Sequence, residues 1–240
     1  MTTLARIAIG LVLALLTSSC AFNVNWGDGT MGNGEIVEES REISQEFTEI
    51  RASEGIDVFV TQGRQFSINI EADENIIDLI GTDIEDGSLK IHAIENIGRA
   101  TKKVFVSLPE ITSLKSSSGA NLMAKNTIKA DKIALDASSG SGIELEVVAN
   151  EIEADASSGA DIKVSGKTEM FYADASSGSD IKAKELKSTK CDANASSGAD
   201  IAVDVTESLV ANASSGADIS YSGDAKVTKK KSVSGSVRKR

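Results

Sequence analysis

Two sets of carboxylates recur through the second half of the chain at nearly constant spacing. They flank a repeated Ser-Ser-Gly, as in the segment DASSGADIKV that runs from Asp155 to Val164. Carboxylates can bind cations, bind polar ligands, or act as general acids and bases. The candidate surface consists of the aspartates four places before and two places after the glycines: Asp136, Asp155, Asp161, Asp174, Asp180, Asp200 and Asp218.

The pattern of these aspartates favours binding over catalysis. Catalytic carboxylates act as a pair with separate roles, and no pair stands apart from the ladder. The only histidine, His92, lacks a neighbouring G-x-S-x-G nucleophile motif. We therefore predict no enzyme, no catalytic residue and no cofactor. We also predict no metal, with calcium at the same aspartates as the alternative, because a cation would relieve repulsion between stacked like charges.

A repeat of about 20 residues must position these side chains. Its glycines are separated by 18 to 21 residues and lie at Gly119, Gly140, Gly159, Gly178, Gly198 and Gly216. Such a period without proline or helical stretches is typical of a solenoid with one coil per repeat. We predict an all-β fold, a single-stranded, right-handed parallel β-helix with about 19–20 residues per coil.

Alternation within each repeat separates inward from outward side chains. Isoleucines such as Ile162, three places after the glycine, lie at the alternate positions that face the core. The aspartates lie at the positions between them, which face outward. Cys191 falls at the position occupied by Ile152 and Phe171 in earlier copies, which predicts a buried, unreactive thiol. Between coils we expect a looser return of roughly eight residues.

The first residues indicate export. Arg6 precedes the apolar run Ile7–Leu16, which is too short to span a bilayer but suits a signal-peptide core. The run is followed by TSSC, which resembles a bacterial lipobox. We predict a signal peptide over 1–19 and lipid on Cys20, followed by a flexible tether through residue 42. The alternative is an ordinary signal peptide that is cleaved nearby.

The remaining chain is predicted to form one solenoid domain over residues 43–237. Residues 43–115 form irregular coils, 116–225 the regular repeats, and 226–240 a basic C-terminal cap. The net charge of −11 argues against a nucleic-acid partner. The basic end is expected to discourage pairing of the terminal strands. Contact with anionic lipid or an envelope polymer is the alternative.

Three segments carry a family resemblance. FTEIRASEGIDVFVTQG, then DGSLKI, then serial SSGADI units are similar to the bacterial "putative autotransporter adhesin head" or GIN domain family. The resemblance covers roughly Phe47 to Ala225. It implies a β-helical body on exported, often lipoprotein-like envelope proteins, and it brings no catalytic residues.

These observations predict a non-catalytic outer-membrane lipoprotein of the cell envelope. Its lipid would attach it to the membrane, and its solenoid surface would serve adhesion, other binding or a structural role. The expected partner is an envelope polysaccharide or another protein. Two alternatives remain, a carbohydrate-active enzyme on the same scaffold and an envelope scaffold that self-assembles through its coil ends.

Overall fold

The structure, a computed structural model, describes residues 29–229 and 234–240. The predicted signal peptide and the proposed lipid site at Cys20 lie outside these residues. The described chain forms 17 strands in one continuous sheet and one 3-10 helix, Ile77–Leu79. Nothing helical in this part has the length and apolar character needed to cross a bilayer.

The strands fall into an N-terminal group and a repeat group. The first group is β1 (Ile36–Ser40), β2 (Glu49–Ala52), β3 (Asp57–Gln62), β4 (Ser67–Asp73), β5 (Ile80–Glu85), β6 (Ser88–Ala93) and β7 (Lys102–Leu108). The second is β8 (Ser113–Ser116), β9 (Asn121–Ala124), β10 (Ile128–Ala137), β11 (Gly142–Ala156), β12 (Asp161–Ala175), β13 (Asp180–Ala195), β14 (Asp200–Ala213), β15 (Asp218–Ser222), β16 (Lys226–Lys229) and β17 (Ser236–Lys239).

From β8 onward the chain rises by one coil per repeat. Neighbouring coils are parallel and in register, so equivalent residues form columns along the stack. One inward column contains Ile143, Ile162 and Ile181 from successive coils, and all three side chains are buried. About six turns of roughly 19 residues are formed, which confirms the predicted all-β solenoid.

The tight corner of each coil is a two-residue turn. In one copy φ is 52° at Ser158 and 71° at Gly159, and the Ala160 N–H donates to the Ser157 carbonyl at 3.2 Å. Two consecutive left-handed residues define a type I′ turn, which favours glycine. The Gly159 N–H also donates to the Ser177 carbonyl of the next coil at 3.1 Å. Corners therefore stack through backbone hydrogen bonds, as strands do.

The prediction of a loose return between coils is wrong. Strands β11 to β14 each continue for 14 to 16 residues from one corner to the next. Pairing with the neighbouring return satisfies backbone groups that a loop would leave to water. A register shift between Ala183 and Lys187 absorbs a difference in coil length.

At the N-terminal end the order of the stack differs from the order of the chain. Strand β2 lies between β6 and β8, and β3 lies between β7 and β9. Antiparallel strands β4 and β1 extend the sheet beyond β7, and antiparallel β5 extends it beyond β6. The link from β4 to β5 buries Ile76 and Ile77 at this end of the core.

The predicted flexible tether does not extend to residue 42. Residues 36–40 form β1, and the buried Asp73 carboxylate accepts hydrogen bonds from the N–H groups of Gly34 (2.6 Å) and Thr101 (2.7 Å). Asp73 thereby holds the segment before β1 against the N-terminal cap. The Gly- and Asn-rich composition does not reveal this contact, because the partner lies some 40 residues away.

Two glycines with positive φ provide a matched test of the coil geometry. A Cβ at Gly159 would meet open space, whereas a Cβ at Gly166 (φ +113°) would lie 2.1 Å from the Val147 carbonyl oxygen. We expect Gly159→Ala to lower the free energy of unfolding by about 1–2 kcal/mol. Gly166→Ala should lower it by more than about 2 kcal/mol, because the neighbouring coil must move. Urea unfolding measures both, and equal losses would contradict this account.

Candidate functional site

The seven predicted aspartates form two separate columns, one on each flank of the corner. Asp136, Asp155 and Asp174 are stacked on the strands that lead into it. With two asparagines and a row of corner serines they line an open groove of about 450 Å³, here called the acidic groove. The other polar side chains lining it are Asn194, Asn212, Ser157, Ser176, Ser196 and Ser214.

The column of the acidic groove continues toward the N-terminal end with the opposite charge. Asp136 is the direct partner of Lys115, which pairs with Arg51, which in turn pairs with Lys90. The column therefore passes from three basic residues to three acidic ones and then to two amides. The repeat spacing alone identifies Lys115, but the two preceding members depend on the non-sequential stacking of β2 and β6.

The carboxylates of the acidic groove form no ion pairs among the described residues and are partly desolvated. Burial raises the pKa of the Asp155 carboxyl, and the carboxylates of Asp174, Asp136 and Glu153 raise it further. Burial also raises the pKa of Asp174, against the hydrogen bond from Asn194. Across residues 29–229 and 234–240, none of the three groove aspartates forms an ion pair.

The second column, Asp161, Asp180, Asp200 and Asp218, has a different electrostatic environment. Lys182 forms ion pairs with Asp161 and, at 3.3 Å, with Asp180. Arg238 lies 3.8 Å from Asp218. Basic side chains from adjacent positions thus offset the repulsion along this flank. The two flanks share a sequence pattern, but among the described aspartates of the two columns ion pairs form only in the second, at Asp161, Asp180 and Asp218.

Neither column forms a compact metal site. The described part of the chain contains no group of three or more His, Cys, Asp or Glu side chains that could hold a metal ion. The aspartates succeed one another coil by coil, whereas Ca²⁺ takes six to eight oxygens around one point. The aspartates of each column are therefore spread along the stack and do not surround one point.

A cluster of outward-facing, partly exposed apolar side chains was missed at the sequence level. Phe59 and Phe105 stack with ring centroids 5.0 Å apart, and Met123 follows them in the same outward column. Lys125 Nζ lies 4.9 Å from the centroid of the Phe59 ring. We call Phe59, Phe105 and Met123 the aromatic patch. The available signal was the motif VFV, which places a phenylalanine outward between two buried valines in both β3 and β7.

The other residues considered for chemistry have structural partners. His92 Nε2 lies 2.6 Å from Asp83 Oδ2 across the β5–β6 pair. Cys191 is buried between Phe171 and Leu209 in an inward column, as its position in the repeat predicts. Burial raises the pKa of its thiol well above the usual range.

Thiol labelling tests the placement of Cys191. Because only the thiolate reacts, and both burial and the raised pKa suppress it, we expect native labelling at least about a hundredfold slower than labelling in urea. A Cys20→Ser variant ensures that Cys191 is the single reporter. Equal labelling rates with and without urea would show that the column is open to solvent.

Asp155 offers a pH-dependent test of the acidic groove. A carboxyl whose pKa is raised by folding stabilises the protein when protonated, and this contribution is lost as the pH rises through the folded-state pKa. We expect Asp155→Asn to raise the free energy of unfolding at pH 7, by less than about 1 kcal/mol. The gain should disappear below about pH 4, where the wild-type carboxyl is protonated.

The matched control for this measurement is Asp161→Asn, which removes an ion pair with Lys182. This variant should show no gain in the free energy of unfolding, measured with urea at pH 7. A loss of stability in Asp155→Asn at pH 7 would mean that the groove carboxylate makes a favourable contact, contrary to this account.

The chain is similar to one described protein family and to several solved structures. The family model described as "Putative auto-transporter adhesin, head GIN domain" matches residues 46–225. No curated protein matches the chain. A crystal structure of a "putative adhesin" from Bacteroides fragilis has a TM-score of 0.80 at 17% identity, covering 88% of this chain and 100% of that one.

Two structures from Parabacteroides have the same fold. A "putative lipid binding protein" from P. distasonis has a TM-score of 0.72 at 22% identity, covering 88% of this chain and 98% of that one. A "putative adhesin" from P. merdae has a TM-score of 0.68 at 21% identity, covering 89% and 99%. At these identities the similarity demonstrates a common fold.

Proposed function

Because this chain belongs to the family described as "Putative auto-transporter adhesin, head GIN domain", we propose that it is a non-catalytic lipoprotein of the cell envelope. In this proposal Cys20 carries the lipid that attaches the protein to the outer membrane. The solenoid presents its outer surface to an envelope polysaccharide or to another protein. The apolar run Ile7–Leu16 and the following TSSC support export and lipidation.

The observation that carries the proposed binding role is the acidic groove. It offers one carboxylate or amide per coil beside one corner serine, repeated about every 4.8 Å along the stack. Carboxylates accept hydrogen bonds, and hydroxyls and amides both donate and accept them. A polyhydroxylated polymer can therefore meet similar groups at successive coils. Partial burial removes some of the water around Asp155 and Asp174 and raises the pKa of both carboxyls.

The aromatic patch supports a second candidate, contact with lipid. One solved relative is named a "putative lipid binding protein". In this chain the inward columns are filled by buried side chains such as Ile162 and Phe171, so a lipid would have to bind on the outside. Phe105 is 36% exposed and stacks on Phe59, which gives the patch an apolar surface for such a contact.

A glycan array with matched variants tests the proposed site. The groove variant carries Asp136→Asn, Asp155→Asn and Asp174→Asn, which keep the side-chain shape and reproduce residues already present in the same column. The control carries Asp180→Asn, Asp200→Asn and Asp218→Asn on the opposite flank. Since hydrogen bonds to charged groups contribute about 1.5–3 kcal/mol each, we expect the groove variant to bind at least tenfold more weakly. The control should bind like wild type.

Three other outcomes have defined meanings. Release of reducing sugar from a bound glycan would contradict the non-catalytic proposal and favour a carbohydrate-active enzyme. Equal binding by the groove variant and wild type would exclude the acidic groove as the contact surface. Flotation with lipid vesicles that is lost in Phe59→Ala/Phe105→Ala would favour the second candidate.

A further inference from the structure

The sheet has an open strand edge at each end of the stack. Among residues 29–229 and 234–240, β1 pairs only with β4, and β17 pairs only with β15. Two antiparallel pairings, β1 with β4 and β4 with β7, make β1 run in the same direction as β7. All later pairings on this face are parallel, so β1 and β17 run in the same direction.

The two ends carry opposite charges. At the N-terminal end, β1 (IVEES) contains Glu38 and Glu39 and no basic residue, and β5 contains Asp83 and Glu85. At the C-terminal end, β16 (KVTK) and β17 (SVRK) each contain two basic residues and no acid. Charged residues on edge strands oppose pairing between like ends.

One charge at each end occupies an inward-facing position. Glu39 is the partner of Ile70, in the column that continues through Val104 and ends at Val237. Lys239 is the next inward-facing residue of β17 after Val237, and it lies in the inward column of Val203 and Tyr221. Each charge has a partner within its own copy, since Glu39 pairs with Arg41 at 3.0 Å and Lys239 lies 3.4 Å from Asp224. Covering either charge with an apolar edge would still cost desolvation energy, whereas an edge of opposite charge lowers that cost.

We propose that the two ends of the solenoid bind each other, so that copies of this chain associate head to tail by pairing β17 of one copy with β1 of the next. A straight continuation of the columns places Ser236 opposite Glu38 and Val237 opposite Glu39. Arg238 then lies opposite Ser40 and diagonal to Glu38 on the outward face. On the inward face Lys239 lies diagonal to Glu39 and opposite Arg41, the residue that pairs with Glu39 within its own copy. Diagonal neighbours in a sheet are within reach of long side chains.

The rest of the N-terminal edge is less available for pairing. The Gln45 side chain donates a hydrogen bond to the Ile84 carbonyl at 2.5 Å, which covers part of the β5 edge. The contact therefore centres on β1, where Ile36 is 48% exposed, and on β17. An interface of this size is small, so we expect association that is weak and dependent on concentration and salt. Because head and tail differ, the contact does not close on itself and generates open chains.

A charge-swap experiment tests the proposal by sedimentation velocity. All proteins are the full chain with Cys20→Ser, measured over a concentration series at low and high salt. The head variant adds Glu38→Lys and Glu39→Lys, and the tail variant adds Arg238→Glu and Lys239→Glu. The control variant adds Lys184→Glu and Lys187→Glu, which change the net charge by the same amount as the tail variant but on exposed residues of β13.

We expect wild type and control to associate at low salt and to dissociate at high salt. The head and tail variants should each associate more than tenfold more weakly, because like charges then face each other. An equimolar mixture of the two should regain association, since the reversed head complements the reversed tail. That recovery also shows that both variants are folded at their ends. A monomeric wild type at low salt, or association unaffected by both reversals, would overturn the proposal.

Discussion

The backbone hydrogen bonds between successive corners constrain the whole solenoid. At each corner a glycine N–H donates to the serine carbonyl of the coil above, so every turn must repeat the same pair of left-handed residues at the same height. Packing in the core then restricts the residue types at inward positions. The positive φ angles restrict the residue types at the corner. The outward positions beside the corner are free of both restrictions, and these positions carry the aspartates.

Repetition along such a stack produces charge columns whether or not a ligand exists. The two flanks show two ways of accommodating them. Along Asp161 and Asp180, Lys182 supplies the counter-charge and the column becomes an ion-pair ladder. Along Asp136, Asp155 and Asp174, within the part of the chain that is described, no carboxylate forms an ion pair, although Lys115 is the strand partner of Asp136. A column that needed only solubility would be expected to use the first arrangement, which makes the acidic groove the better candidate for recognition.

The regular repeats were predictable because their contacts follow the chain. The spacing of Gly140, Gly159 and Gly178 determines the coil, and parity then assigns Ile162 and Cys191 to the core. The N-terminal region was not predictable in the same way, because its contacts are non-sequential. Phe59 meets Phe105 only because β3 stacks on β7, and Arg51 joins the groove column only because β2 is inserted between β6 and β8. The prediction of a loose return between coils was wrong because this segment becomes a strand only by pairing with the adjacent coil.

The fixing of Gly34 by Asp73 has a consequence for orientation at a membrane. Eight residues lie between Cys20 and Gly29, so a lipid at Cys20 would hold the N-terminal cap within about 30 Å of the bilayer. The face that contains β1 and β17 is eleven strands deep, or about 48 Å between those two strands. If copies joined end to end stood upright, the second copy's anchor would be too far from the bilayer to insert. A chain of anchored copies would therefore have to lie along the membrane, with its long axis parallel to the lipid surface.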